Sequence, residues 1–182
     1  PALLSIPFDA LFRVNHSWLG RPHHTAPDAI FTGKRDTLDA YRDPTIFGFQ
    51  THDAARRIML RCFLLARRFT YFSADRLGCM NFGFFAPYKP TNGAVMIATA
   101  AAVATEQLIV AGIDLFSDPR GSYPGDARTP NAYTVAHDRE LEARFILETL
   151  SAFPGEVIVV GAVLEERWRR HRLESAARAG RG

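Results

Sequence analysis

Apolar and polar residues alternate over residues 8–14, where Phe8, Ala10, Phe12 and Val14 fall on one face. That period of two predicts a strand with Asn15 at its carboxyl end. A connection rich in turn formers, Gly20-Arg21-Pro22-His23-His24-Thr25-Ala26-Pro27, leads to a short second strand over residues 29–32 that stops at Gly33. Residues 38–42 predict one or two helical turns, ended near Pro44. Residues 51–68 read two ways. Ala55, Ile58, Met59, Cys62, Phe63 and Ala66 keep helical spacing with arginines opposite, while residues 57–65 also fit a buried strand. Residues 69–90 are aromatic and irregular, densest at Phe82-Gly83-Phe84-Phe85, a pattern expected of packing beneath a loop.

The second half is more regular. Residues 93–105 are dominated by helix formers and follow Thr91-Asn92, both competent N-caps. Residues 107–113 form a nearly unbroken apolar run, as in a parallel strand buried on both faces. Residues 115–136 carry three prolines and two glycines and predict a long loop or lid. Residues 138–151 predict a helix with Leu141, Phe145 and Leu150 toward the core, ended by Pro154-Gly155. Residues 156–161 are a further buried strand, and residues 165–182 a basic, exposed helix or tail. The alternation implies right-handed crossovers and an α/β domain over residues 1–164: a Rossmann-like, mostly parallel sheet flanked by helices, with a lid over 115–136. Ligands of such sheets bind beyond the carboxyl ends of the strands, where Asn15, Gly33, Thr91-Asn92-Gly93 and Asp114 are expected to converge.

The chain has 182 residues, 47% of them hydrophobic, which suits one domain with a substantial core. The net charge of +3 hides two arginine clusters, at residues 56–68 and 167–178. Each reads as a solvated helix face, or more sharply as contact with an anionic headgroup layer or polyanion. Cys62 and Cys79 have no zinc-like neighbours and are expected as buried thiols in a reducing compartment. No secretory leader is visible and no apolar run reaches bilayer length, so the expected location is cytoplasmic.

Several residues carry chemistry. Thr91-Asn92-Gly93 offers side-chain oxygens and helix-start N–H groups that suit a carboxylate or phosphate, or simply caps the helix. Asp114 either bonds a ligand hydroxyl or caps the turn into the lid. His137 is either a general base or structural. Tyr123 and Tyr133 either stabilise a leaving phosphate or pack the lid on the domain. His16, His23, His24, His52 and His171 show no triad or metal spacing, and no metal site is expected.

Phe12-Arg13-Val14-Asn15, Ala29-Ile30-Phe31, Thr91-Asn92-Gly93, Gly112-Ile113-Asp114, Ser122-Tyr123 and His137, in that order, resemble the bacterial lipooligosaccharide sialyltransferases of glycosyltransferase family 42. The resemblance covers the chain to about Leu164 and is strongest over residues 91–150. It implies a variant of the GT-A nucleotide-sugar fold, a CMP-sialic acid donor and no other cofactor. It further implies inverting transfer to a galactoside of a cell-surface glycan. His137 would take the acceptor proton and Tyr123 would bond the departing phosphate. Asn15, Thr91, Asn92, Gly93 and Asp114 would hold the donor, supported by Arg13, Lys89, Tyr133 and Thr134. A glycan and a nucleotide sugar, rather than nucleic acid, are the expected partners. Peripheral inner-membrane contact through the basic C-terminus and a homo-oligomer are compatible with it.

The chain departs from the family pattern at several points. The family opens with a strand and a Gly-Asn-Gly-Pro-Ser turn; Pro1-Ala2-Leu3 resembles the tail of that turn, which implies a longer protein. Phe116 stands at a phosphate-binding tyrosine, Gly33 at a nucleotide-binding asparagine, Lys89 at an arginine and Asn92 at a serine. Tyr133 lies four residues before His137 where the family has its tyrosine at three, the place Thr134 holds. These changes keep two alternatives in view: a non-catalytic nucleotide- or glycan-binding relative, and a transferase of another activated sugar.

Overall fold

The computed structural model describes residues 6–16, 26–40, 46–62, 70–117, 121–123, 126–130 and 133–180, with backbone alone for 61–62, 122–123 and 126–130. Four short strands, β1 (Phe12–Val14), β2 (Ala29–Phe31), β3 (Ile46–Phe49) and β4 (Thr70–Ser73), form a parallel sheet in the order β1-β2-β3-β4. The register pairs Arg13 with Ile30, Ile30 with Phe47 and Phe47 with Tyr71. Helices α1 (Arg35–Ala40) and α2 (His52–Cys62) cross between these strands.

Side-chain alternation splits the sheet between two cores. Ile30, Phe47 and Phe49 face one side and pack with Leu38 of α1 and with Ala55 and Ile58 of α2. Phe31 faces the other and meets Phe12 and Phe72 at centroid distances of 5.6 and 5.5 Å. Gly48 sits opposite Phe31 in the register, and a Cβ there would stand 2.8 Å from the Phe31 ring. The glycine is therefore the space the buried ring occupies.

Helix α3 (Ala74–Leu77) and a 3-10 turn over Phe82–Phe85 lead to α4 (Asn92–Val103). The small side chains of α4 bring it close to both parallel layers: it touches β1, β2 and also β5 (Gln107–Ala111). Strand β5 pairs in parallel with β8 (Glu156–Val160), Gln107 opposite Glu156 through Ala111 opposite Val160. Between them come a two-stranded antiparallel ribbon, β6 (Ser122–Tyr123) and β7 (Asp126–Pro130), and helix α5 (Arg139–Ala152). Helix α6 (Ala162–Ala179) closes the chain. The larger core lies among β1, β2, α4, β5, α5 and the start of α6, centred on Phe31, Ile97, Val110, Ile146, Leu150 and Leu164.

The architecture is α/β with mostly parallel strands flanked by helices, consistent with a Rossmann-like fold. Several elements differ from the sequence reading. The first strand is shorter than 8–14, because Phe8 is solvent-exposed and only residues 12–14 gain a partner. The first helix begins at Arg35 rather than at residue 38, with Thr37 and Leu38 its buried pair, and runs to Ala40; residues 41–42 lie outside the described residues. Residues 52–62 are helix, not strand. The stretch taken as irregular contains β4, and β3 had no counterpart in the prediction. The expected lid loop holds the β6–β7 ribbon. On α5, Glu142, Ala143, Ile146 and Leu150 are the buried positions, while Leu141 and Phe145 are only partly covered. The boundary drawn after residue 164 falls inside α6, whose first turns pack on β8 and α5. Among the described residues the parallel strands form two sheets rather than one, joined by α4.

Candidate functional site

A cavity of about 460 Å³ opens beyond the carboxyl ends of β1, β2, β3 and β5. Asn15, Thr32, Gly33, Lys34, Gln50, Thr91, Asn92, Gly93, the loop Gly112–Phe116, Thr134, His137 and Glu142 line it. Parallel strands direct their carboxyl ends to one edge, so residues far apart in sequence meet there.

The strand ends are tied into one polar chain. Asn15 has a left-handed backbone (φ 53°), which asparagine tolerates better than most residues and which turns its amide across the sheet edge. Its Oδ1 lies 3.2 Å from Thr32 Oγ1 and 3.5 Å from Asn92 Nδ2, which donates to it. Thr32 Oγ1 is 3.0 Å from Thr37 Oγ1, which in turn is 3.1 Å from His16 Nδ1. Gln50 Nε2 donates to Asn92 Oδ1 at 3.3 Å and to the Pro90 carbonyl at 3.0 Å. Three strand ends are thus linked to the start of α4.

Thr91 caps α4, its Oγ1 accepting from the Ala94 N–H at 3.2 Å. Its own hydroxyl and N–H both donate to Glu142, the N–H at 3.3 Å. Glu142 is 4% exposed. Burial pushes its carboxyl up to about 7, and the two Thr91 bonds resist that shift by favouring the charged form.

His137 sits just before α5, whose cap is Asp138 accepting from the Leu141 N–H at 2.7 Å. His137 Nδ1 lies 2.8 Å from the carbonyl oxygen of Lys89. A carbonyl can only accept, so Nδ1 carries the hydrogen, and in the neutral ring Nε2 holds the basic lone pair. The Lys89 N–H donates to the Ala136 carbonyl at 2.8 Å. Residues 89–91 and 136–142 are therefore fastened by four hydrogen bonds, which fix the imidazole relative to the start of α4.

Asp114 follows β5 as expected. Its Oδ1 accepts from the Phe116 N–H at 3.2 Å and turns the chain, while its Oδ2 is buried without a partner among the described residues. A buried acceptor in a cavity wall matches a donor supplied by a ligand. Phe116 packs against Tyr133 at 5.1 Å, and Arg139 lies 5.7 Å over the Tyr133 ring while donating to the Phe116 carbonyl. The Tyr133 ring is 6.4 Å from that of His137.

Of the residues singled out in the sequence, Asn15, Thr91, Asn92, Gly93, Asp114, Thr134 and His137 line this one cavity. Tyr133 flanks it, and Lys89 contributes its backbone. Arg13 lies on β1 between Phe12 and Val14, which pack into the larger core, so it belongs to the opposite face; burial lowers its pKa. The side chain of Tyr123 lies outside the described residues, although its backbone is in β6. Sequence reasoning missed Thr32, Lys34, Gln50 and Glu142. The signal for Glu142 was present: it precedes Ile146 and Leu150 by four and eight residues, on the apolar stripe of α5.

A second hollow of about 600 Å³ lies between α5 and α6, away from the strand ends. There Arg167 pairs with Glu140 through two bonds of 2.8 Å, and Glu166 takes Arg169 and Arg170. Part of the basic charge of the last helix is thus already matched internally. No described helix is long and apolar enough to cross a membrane. No family model, curated protein or solved structure matches the chain.

Proposed function

We propose that the chain is a sialyltransferase-like glycosyltransferase that moves sialic acid from CMP-sialic acid to a galactoside of a cell-surface glycan. The observation that carries this reading is the anchored imidazole of His137, with Nδ1 held by Lys89 and Nε2 left basic on a cavity that also contains Asn15, Thr91-Asn92-Gly93 and Asp114. Its order of residues is that of the family the sequence resembles.

In the proposed reaction Nε2 takes the proton of an acceptor hydroxyl as that oxygen bonds to the anomeric carbon of the donor. The bond from that carbon to the phosphate oxygen breaks, its electron pair leaves with CMP, and configuration inverts. In this reading the hydroxyl of Thr134, a residue of the cavity wall, and its neighbour Tyr133 meet the growing phosphate charge, and by resemblance Tyr123 joins them. Asp114 Oδ2 is offered to a donor hydroxyl or amine. Arginines of α6 outside the internal ion pairs, Arg172 and Arg178, are the proposed contacts with an anionic membrane face.

The test is CMP release from CMP-sialic acid with and without a galactoside. Acceptor-dependent release that His137→Ala removes supports transfer and its base together; release that persists in the variant removes His137 from the role. A second reading, nucleotide or glycan binding without turnover, draws on Phe116, which puts a ring without a hydroxyl on the cavity wall, and on Gly33, which puts no side chain there. CMP binding with no release favours it, and competition by other nucleotides separates a different donor.

A further inference from the structure

We propose that Glu142 is a positioning residue of the donor turn: as a carboxylate it holds both donors of Thr91, and it takes up a proton from solvent when an anionic group binds at Thr91-Asn92-Gly93. This rests on the donor reading above and adds a regulation to the same site.

The geometry supplies the argument. Thr91 has one hydroxyl hydrogen and one N–H, and both are directed at Glu142. Its hydroxyl oxygen already accepts from Ala94. The amino end of α4, which favours negative charge, therefore has a carboxylate of the protein's own beside it. A ligand phosphate or carboxylate entering the cavity meets that charge at close range and finds the Thr91 hydrogen occupied. Protonation removes both obstacles. The carboxylic acid then donates its O–H to Thr91 Oγ1, which keeps its bond from Ala94, and the Thr91 hydroxyl hydrogen is released toward the cavity.

Among the described residues no other charge nearby duplicates this role. Helix α4 carries no ionisable side chain. The ionisable groups sharing the cavity are Lys34 beyond β2, Asp114 beyond β5 and His137 on the segment leading into α5. None of these is hydrogen-bonded to Thr91. The ordinary carboxylate range is left behind because the side chain is buried, and its proton exchanges at about 7, where a bound anion can shift it.

The experiment measures binding of methyl cytidine 5′-phosphate, a phosphodiester whose charge is constant with pH, to the full chain and to Glu142→Gln between pH 5.5 and 8.5. Glutamine keeps the shape and donates an N–H to Thr91 Oγ1 as the protonated acid does. In the wild type, Kd is expected to rise about tenfold per pH unit above the Glu142 titration, as one coupled proton requires. Titrations in buffers of different ionisation heat should show close to one proton taken up at pH 8.5 and none at pH 5.5. In Glu142→Gln, Kd should be flat and as tight at pH 8.5 as the wild type at pH 5.5. A wild-type slope that survives in Glu142→Gln, or binding at pH 8.5 without proton uptake, overturns the proposal; the uptake measurement needs no variant to fold. Absence of binding to either protein at every pH instead removes the donor reading, and the proposal with it.

Discussion

His137 reaches the backbone of Lys89, with Nδ1 2.8 Å from the carbonyl oxygen, although 48 residues separate them. The contact fixes which nitrogen is basic and where it sits. His137→Ala should therefore lower the rate of acceptor-dependent transfer by roughly 10²–10⁴-fold. Affinity for CMP should change little, because in the proposed reaction the ring meets the acceptor rather than the nucleotide. Calorimetric binding of CMP beside initial rates checks both, and loss of CMP binding in the variant would show the ring to be holding the site together instead.

Glu142 makes stability depend on pH. Its folded value of about 7 lies above the ordinary 4.5, so between those values the unfolded chain loses a proton that the native protein keeps. The contribution is fully present below about pH 4.5 and gone once pH passes about 7, a total on the order of 3 kcal/mol. Urea denaturation at closely spaced pH values should show wild-type stability declining across that window relative to Glu142→Gln and running parallel to it above. Parallel curves throughout would mean that burial leaves the Glu142 carboxyl at its ordinary value in the folded protein.

Asn15 combines a left-handed backbone with an amide that meets Thr32 and Asn92. Asn15→Gly should relieve the backbone and lose the hydrogen bonds; Asn15→Ala should lose the bonds and keep the strain, costing about 1 kcal/mol more. Both should weaken nucleotide binding. Denaturation midpoints order the two variants, and an alanine variant more stable than the glycine variant would contradict the strain assignment.

The two glycines facing tight packing should differ in severity. A Cβ at Gly48 meets the edge of the Phe31 ring and the tip of the Phe72 ring, side-chain atoms rather than backbone, for about 1–3 kcal/mol. A Cβ at Gly155 runs into the backbone carbonyl of Glu106, the acceptor of the Glu156 N–H at 2.8 Å that starts the β5–β8 pairing. Gly155→Ala should be the more damaging of the two in thermal melts. Its site is at the amino ends of β5 and β8, remote from the cavity, so any protein that folds should bind nucleotide normally.

The parts of the fold that could be read from the chain were those with a long or chemically marked pattern. Helix α4 has twelve residues and a threonine cap, and β5 and β8 are apolar after an opening Gln107 and Glu156, although β5 alternates between buried and half-buried positions and β8 is half-buried where fully buried strands were expected. Strands β3 and β4 have four residues each, and Gly48 breaks the apolar pattern of the former; their neighbours in the sheet, not their own period, make them strands. The candidate site was legible where a residue follows a strand or opens a helix, as Asn15, Asp114 and Thr91 do. Gln50 and Thr32 were not, because the strand ahead of Gln50 was itself unread and Thr32 looked like the last residue of its strand. Glu142 stands between Glu140 and Glu148 in sequence, and only its spacing of four and eight residues from Ile146 and Leu150 separates it from those exposed carboxylates.

The four hydrogen bonds between residues 89–91 and 136–142 also decide how the cavity mouth can work. They clamp the downstream root of the lid to the frame, like the latch side of a door that has been nailed shut. The other root, where Gly112, Leu115 and Phe116 have positive φ angles, is held to the same frame by the Arg139 guanidinium, which donates to the Phe116 carbonyl. In the proposed transfer the imidazole is thereby aligned by the frame of α4 and α5 and not by the segment between the two roots.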